Sequence, residues 1–162
     1  MITQGRLTID EKQDQLVLVG SIDETAEVMK LLDHVKGGQL NLDLGGVGFI
    51  NSLGVRDWIR MQAVATQKKI AIELRQVSEP IVHQLNMIIA TRGTATVASF
   101  FAPYACDACG REDSILVDAK LHGEALRRLA PPPATCRECG AQMVFNDFPE
   151  RYFTFVNDPG ES

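Results

Sequence analysis

The sequence contains no apolar run approaching the roughly 18 residues that a membrane span requires. Its N-terminus, MITQGRLTIDEK, lacks the long apolar core of a signal peptide. These two absences make a cytoplasmic protein the expectation. Neither half carries the excess of lysine and arginine that binding to a phosphate backbone demands. Residues 1–100 hold ten basic and eleven acidic side chains, net −1, and residues 101–162 hold six and ten, net −4. Charge therefore argues against nucleic acid as the main partner. There is no GxxxxGK phosphate loop, no HExxH and no patterned nucleophile–base pair, so nothing calls for an enzyme. Histidine is scarce, at 3 residues. His34 and His83 fall on helical stretches and His122 in a polar loop, none with a second ligand patterned beside it, and no chemistry is assigned to them.

What is present is enough for a core. In 162 residues, 45% are hydrophobic, the size of one ordinary domain or two small ones. Leu7 and Ile9, then Leu16 and Leu18, alternate with polar neighbours on either side of EKQDQ, as a two-strand hairpin does. Ser21 and Glu24 have capping-box spacing ahead of Val28, Leu31, Leu32 and Val35, which trace one helical face stopped by Gly37-Gly38. Leu40, Leu42 and Leu44 then alternate with Asn41 and Asp43 in a strand. Gly45, Gly46 and Gly48 loosen the backbone before Phe49 and Ile50. The period switches at Asn51-Ser52, because Val55, Trp58, Ile59 and Gln62 recur at helical spacing. Ser52 occupies the expected N-cap position, its hydroxyl able to accept from the free N–H of Gly54 or Val55. A helix N-terminus favours anions, so a phosphate on Ser52 would find free donors.

A strand at Ile70–Leu74, a helix opened by Ser78-Glu79-Pro80, a break at Thr91-Arg92-Gly93-Thr94 and a last strand from Ala95 to Tyr104 complete the order ββαβαβαβ. Helices alternating with strands favour a mixed sheet with helices packed against it, an α/β fold.

The segment LDLGGVGFINSLG resembles the central motif of STAS domains, the fold of bacterial anti-sigma-factor antagonists. In that family a strand ending in Asp-Leu leads to a phenylalanine and an Asp-Ser-(Ser/Thr)-Gly turn that opens a helix. Asp43, Leu44, Phe49, Ile50, Ser52 and Gly54 match; Asn51 stands where the family usually has Asp, and Leu53 where it has Ser or Thr. The resemblance covers about residues 5–100 and implies Ser52 as the phosphoacceptor. It implies a switch surface of Asp23, Asn51, Leu53 and Gly54, and a partner that is an anti-sigma factor, a GHKL-type serine kinase or a related signalling protein. The turn Gly20-x-Ile22-Asp23 is similar to the family's Gly-x-Leu-Asp turn, which lies near the phosphorylated serine. Asp23 is thus a neighbour of Ser52 or only a cap for the helix that follows it.

All four cysteines lie in the second half, as Cys106-Asp-Ala-Cys109-Gly110 and Cys136-Arg-Glu-Cys139-Gly140. Two such turns offer four thiolates to a tetrahedral zinc, and the glycines permit the positive φ of a knuckle. The long insertion between them is read as a polar loop, Lys120 to Arg128, with Pro131-Pro132-Pro133 stiffening the return. Strands at Ser99–Ala105, Ser114–Val117 and Gln142–Phe145 make this unit look like a zinc ribbon. Iron in place of zinc, disulfides and a redox pair are the alternatives. Four cysteines would fill every coordination position of a zinc, which makes its role structural. From Asp147, the residues Phe148, Tyr152, Phe155 and Val156 fall on one helical face, expected to cover the ribbon or the sheet, or else to form an exposed docking surface. The expected division is a STAS-like domain at 1–100, a zinc-ribbon domain with an aromatic segment at 101–157, and a tail at 158–162. The expected function is a non-catalytic regulatory protein switched through Ser52. An unphosphorylated scaffold, or a nucleic-acid-binding zinc ribbon, is the alternative.

Overall fold

The structure, a computed structural model, describes residues 1–157; the 158–162 tail of the sequence analysis lies outside the described residues. Its first sheet has six strands, β1 (Ile2–Gln4), β2 (Leu7–Lys12), β3 (Gln15–Ile22), β4 (Gln39–Ile50), β5 (Ala71–Arg75) and β6 (Thr96–Val97), side by side in chain order. The pairs β1/β2 and β2/β3 are antiparallel, whereas β3/β4, β4/β5 and β5/β6 are parallel. Hairpin turns produce the first half. Crossovers through helical segments produce the second, as parallel pairing requires. The protein is therefore mixed α/β with a mixed sheet, as expected.

The leucines that alternate in the sequence all turn to one face: Leu7, Ile9, Leu16, Leu18, Leu40, Leu42, Leu44, Ile72 and Leu74 are buried. Against them pack α1 (Ser52–Gln67), through Val55, Trp58, Met61 and Ala65, and α2 (Glu79–Met87), through Ile81, Val82 and Leu85. A one-turn helix, α3 (Ile89–Arg92), follows; its Thr91 carbonyl accepts the Trp58 Nε1–H at 2.8 Å.

Three local expectations are corrected. The first helix is a 3-10 segment, Val28–His34. No capping box forms, because β3 continues through Ser21 and Ile22, and the residue entering the turn is Glu27 with a left-handed backbone (φ 50°, ψ 50°). The glycines at 45, 46 and 48 do not end the central strand. β4 runs on to Ile50 and keeps its partner β3 through register shifts. The strand expected over 95–104 is two, since β6 ends at Val97 and β7 (Ser99–Ala105) joins a second sheet. A single strand cannot serve both, because Phe101 N–H and Val77 N–H are bonded across the junction to Val77 O (2.8 Å) and Ser99 O (3.1 Å).

The second sheet is antiparallel, in the order β8 (Glu112–Asp118), β7, β10 (Gln142–Phe145), β9 (Ala134–Thr135). The expected polar loop contains a short helix, α4 (Gly123–Arg127), anchored by the fully buried Leu126. Pro132 receives the Tyr104 hydroxyl on its carbonyl at 2.6 Å, and burial pushes that phenol up to about 12. The aromatic segment forms α5 (Pro149–Tyr152) and a 3-10 turn, Thr154–Asn157. Tyr152, Phe153 and Phe155 are buried; Phe153 stacks on Phe145 at 4.8 Å and Phe155 meets Phe100 edge-on at 5.0 Å. That segment covers the junction of the two sheets, and of its aromatics only Phe148 remains exposed. The core cluster is continuous from Leu7 in β2 to Phe155. No helix among the described residues is long and apolar enough to cross a membrane.

Candidate functional site

Two places gather the residues singled out by the sequence. The first is the turn between β4 and α1. Asn51, not Ser52, is the N-cap: its Oδ1 accepts the Gly54 N–H at 2.8 Å, and its backbone is extended (φ −104°, ψ 178°). The reason is a one-residue shift. Asn51 N–H is still bonded to Ile22 O on β3 (3.2 Å), so the strand holds the chain extended through Asn51 and the helix begins at Ser52. An amide oxygen caps as well as a hydroxyl does. Ser52 is consequently the first helical residue, and it is exposed. Its own N–H and that of Leu53 belong to the first-turn donors that have no intrahelical acceptor. Leu53 is 40% exposed, Phe49 on the preceding strand 53%. Gly54 lies against β3 so closely that a Cβ there would stand 2.0 Å from Ile22 O.

The second turn, after β3, abuts the first. Asn51 Nδ2 donates to Glu24 at 3.1 Å, which lowers the Glu24 carboxyl below its ordinary range. Asp23 neither caps a helix nor bonds to Ser52. Its buried carboxylate accepts the Thr25 hydroxyl (2.5 Å), the Thr25 N–H (2.9 Å) and Arg6 (2.9 Å), and these bonds, the hydroxyl's first, hold it below the usual carboxylate value. The structure thus sets the two turns side by side and turns the Asp23 carboxylate into its own. Thr25 and Arg6 carry no periodic or motif signal, and the capping-box spacing of Glu24 points to a different role; the bonds these three make arise only where β1–β2, β3 and the start of α1 come together.

The second place is the cysteine cluster. Cys106 and Cys136 are buried, Cys109 and Cys139 exposed, and the four sulfurs all lie within 4.8 Å of one another. Cys106 and Cys139 sulfurs are 3.5 Å apart, Cys109 and Cys136 sulfurs 3.7 Å. A tetrahedral ion with metal–sulfur bonds of about 2.3 Å has edges of about 3.8 Å, so the donor set fits such an ion. The two knuckles are copies of one another. Gly110 N–H bonds to Cys106 O and Gly140 N–H to Cys136 O, both at 2.8 Å, while Cys106 N–H bonds to Arg111 O and Cys136 N–H to Ala141 O, also at 2.8 Å. Gly110 (φ 79°) and Gly140 (φ 77°) supply the left-handed backbone that closes each turn. The N–H groups of Cys139 and Glu138 pull the Cys136 thiol down to about 7. At Cys109 the Arg111 N–H pulls the same way, but partial desolvation and the bonds to the three neighbouring sulfurs outweigh it and push that thiol up to about 12. Four thiolates together require a cation.

Around the knuckles the basic side chains are engaged by acids. Arg111 lies 3.5 Å from Asp113 and 3.3 Å from Glu138, and Arg137 lies 3.2 Å from Asp113. His83 and His122 stand apart from the sulfurs in the sequence and are not in the cluster.

No family model, curated protein or solved structure matches the chain.

Proposed function

We propose that the protein is a non-catalytic binding switch: a STAS-like domain engages a protein partner through the turns at 23–25 and 51–54, and a zinc ribbon is appended to it. The exposure of Ser52 at the first position of a 16-residue helix carries this reading. A phosphate there adds a charge of about −1.5 to −2 and meets free amides of its own helix, one residue along the chain from the Asn51 amide that bonds Glu24. Against a partner it must be desolvated, and about 3 kcal/mol of that cost weakens binding more than a hundredfold. By the resemblance, the partner is an anti-sigma factor, a GHKL-type serine kinase or a related cytoplasmic signalling protein. We take the metal to be zinc in a structural role, a reading supported by four clustered cysteines that leave no open coordination position.

The test is a pull-down from native cells with wild type, Ser52→Ala and Ser52→Glu, together with intact-mass analysis of the native protein. A partner retained by wild type and Ser52→Ala but lost with Ser52→Glu supports the switch. Equal recovery with all three overturns it.

One observation favours a scaffold as the second reading. The turn already carries the Glu24 carboxylate and exposes Leu53 and Phe49, a surface able to bind without any modification. A native protein that carries no phosphate adduct under any growth condition, yet retains its partner, would select it. Nucleic acid is disfavoured further by pairing. Arg111, Lys120, Arg128, Arg137 and Arg151 each lie against a carboxylate, which weakens the attraction of the second half for phosphates.

A further inference from the structure

The second sheet ends in a strand with an open side. β8 is seven residues long and pairs on one edge only, with β7; among the described residues nothing pairs with its outer edge. The other terminal strands are far shorter, three residues in β1 and two each in β6 and β9.

Which groups of β8 face outward follows from β7. Ser114 stands opposite Pro103, which has no N–H to give. Phe101 N–H and Pro103 O are bonded away from β8, to Val77 O and to Asn146 N–H. Residues 99, 101, 103 and 105 thus bond on the far side. Their partners Asp118, Leu116, Ser114 and Glu112 direct N–H and C=O away from the sheet. At the ends these groups are partly used: Ser114 N–H bonds to the Asp113 carboxylate at 3.0 Å and Asp118 O accepts from His122 N–H at 3.1 Å. The centre, Leu116, has no such local partner, and its side chain is 49% exposed.

Charge selects the occupant. The side chains of Glu112, Ser114, Leu116 and Asp118 share one face, with an acid at each end and an apolar residue between. A second copy paired antiparallel about Ile115 would set Glu112 against Asp118 twice, and like charges directly opposed destabilise a strand pair. An extended segment with basic residues six apart has the opposite sign at both positions. We propose that the outer edge of β8 binds an extended peptide segment of a partner protein by strand addition. The segment carries Lys or Arg opposite Asp118 and Glu112 and an apolar residue opposite Leu116. Backbone bonds at Leu116 supply the attachment and the two acids the selectivity. This surface involves neither Ser52 nor the turn beside it, so its test stands apart from the switch.

The probe is a labelled heptapeptide with lysine first and last, valine third and threonine elsewhere, titrated into the full-length, zinc-loaded protein and followed by fluorescence anisotropy. Saturable binding is expected, at least about tenfold tighter than for the same peptide ending in glutamates. Methylating the valine nitrogen is expected to abolish it. Leu116→Pro removes an outward N–H without touching a β7–β8 bond, and is expected to abolish binding while the melting temperature and circular dichroism stay near wild type. Glu112→Lys is expected to erase the preference for the lysine peptide. The proposal is overturned by no binding at millimolar peptide, by equal binding of the glutamate-ended peptide, or by undiminished binding of the N-methylated one. The last holds whether or not Leu116→Pro folds.

Discussion

Asn51 and Glu24 are bonded side chain to side chain, at 3.1 Å, across the two turns that flank Ser52. The same amide caps α1 with its oxygen, so one residue sets both where the helix starts and how the neighbouring turn is held. A carboxylate at position 51, the usual residue of the family that the motif resembles, would keep the cap and lose this bond. In Asn51→Asp the two acids would face each other. The Glu24 carboxyl, now held below its ordinary range by the Asn51 amide, is expected to titrate above it, as NMR titration of the Glu24 side chain would read. An unchanged Glu24 titration would mean that the bond does not form in solution.

The cap assignment separates two adjacent residues. Asn51→Ala is expected to cost about 1 kcal/mol, the usual loss for an N-cap. Ser52→Ala, an exposed first-turn change, should stay within about 0.5 kcal/mol. Urea denaturation of both variants decides it; a larger loss at Ser52 would return the cap to the hydroxyl.

Gly54 has no room for a side chain. The clash of a Cβ with Ile22 O at 2.0 Å is with backbone on both sides, so neither partner yields by rotating. Gly54→Ala is expected to destabilise by about 2–3 kcal/mol, the upper part of the overpacking range. A melting temperature equal to wild type would show that α1 can lift away from β3.

Asn86 holds the aromatic segment to α2. Its amide donates to Tyr152 O at 2.7 Å and accepts the Phe155 N–H at 2.8 Å and the Thr154 hydroxyl at 2.9 Å. Asn86→Ala leaves these groups unpaired beside buried rings, at an expected cost of about 1–3 kcal/mol. Asn86→Asp keeps the two acceptor bonds but sets a carboxylate oxygen against Tyr152 O, so its cost should fall at low pH, where the protonated carboxyl can donate. A loss in Asn86→Asp that does not change with pH would contradict the clamp.

The Asp23 carboxyl is held below its unfolded value, by the Thr25 hydroxyl first and then by the Thr25 N–H and Arg6. A depressed folded value stabilises the protein above the unfolded value of about 3.9, and that contribution is lost as pH falls through the folded one. Asp23→Asn should therefore lower the melting temperature near pH 6 and approach wild type near pH 2. A constant gap across that window would rule the linkage out. Metal release gives an independent readout of the second site. One zinc per chain is expected by elemental analysis, falling to well under one in Cys106→Ser and Cys136→Ser, with loss of the second sheet's cooperative melting.

The sequence determined the elements whose signal is local. Alternating leucines produce the strands on the core face, the 3.6-residue period from Val55 produces α1, and β7 and β10 fall at Ser99–Ala105 and Gln142–Phe145 as their patterns indicate. Each Cys-x-x-Cys-Gly unit closes locally, through its own glycine and its own backbone bonds, while the pairing of β7 with β10 brings the two units together. What tertiary structure alone decided are matters of competition between neighbours. β3 keeps Ser21 and Ile22 for its own ladder and so leaves the 28–34 segment without a capping box. The bond from Asn51 N–H to Ile22 O holds the chain extended one residue longer, and Ser52 passes from cap to first turn. Val77 takes the backbone of Ser99 and Phe101, and the strand that reads as continuous from Ala95 divides between two sheets. No window of sequence contains both partners of these bonds, and each partner's spacing alone fits more than one arrangement.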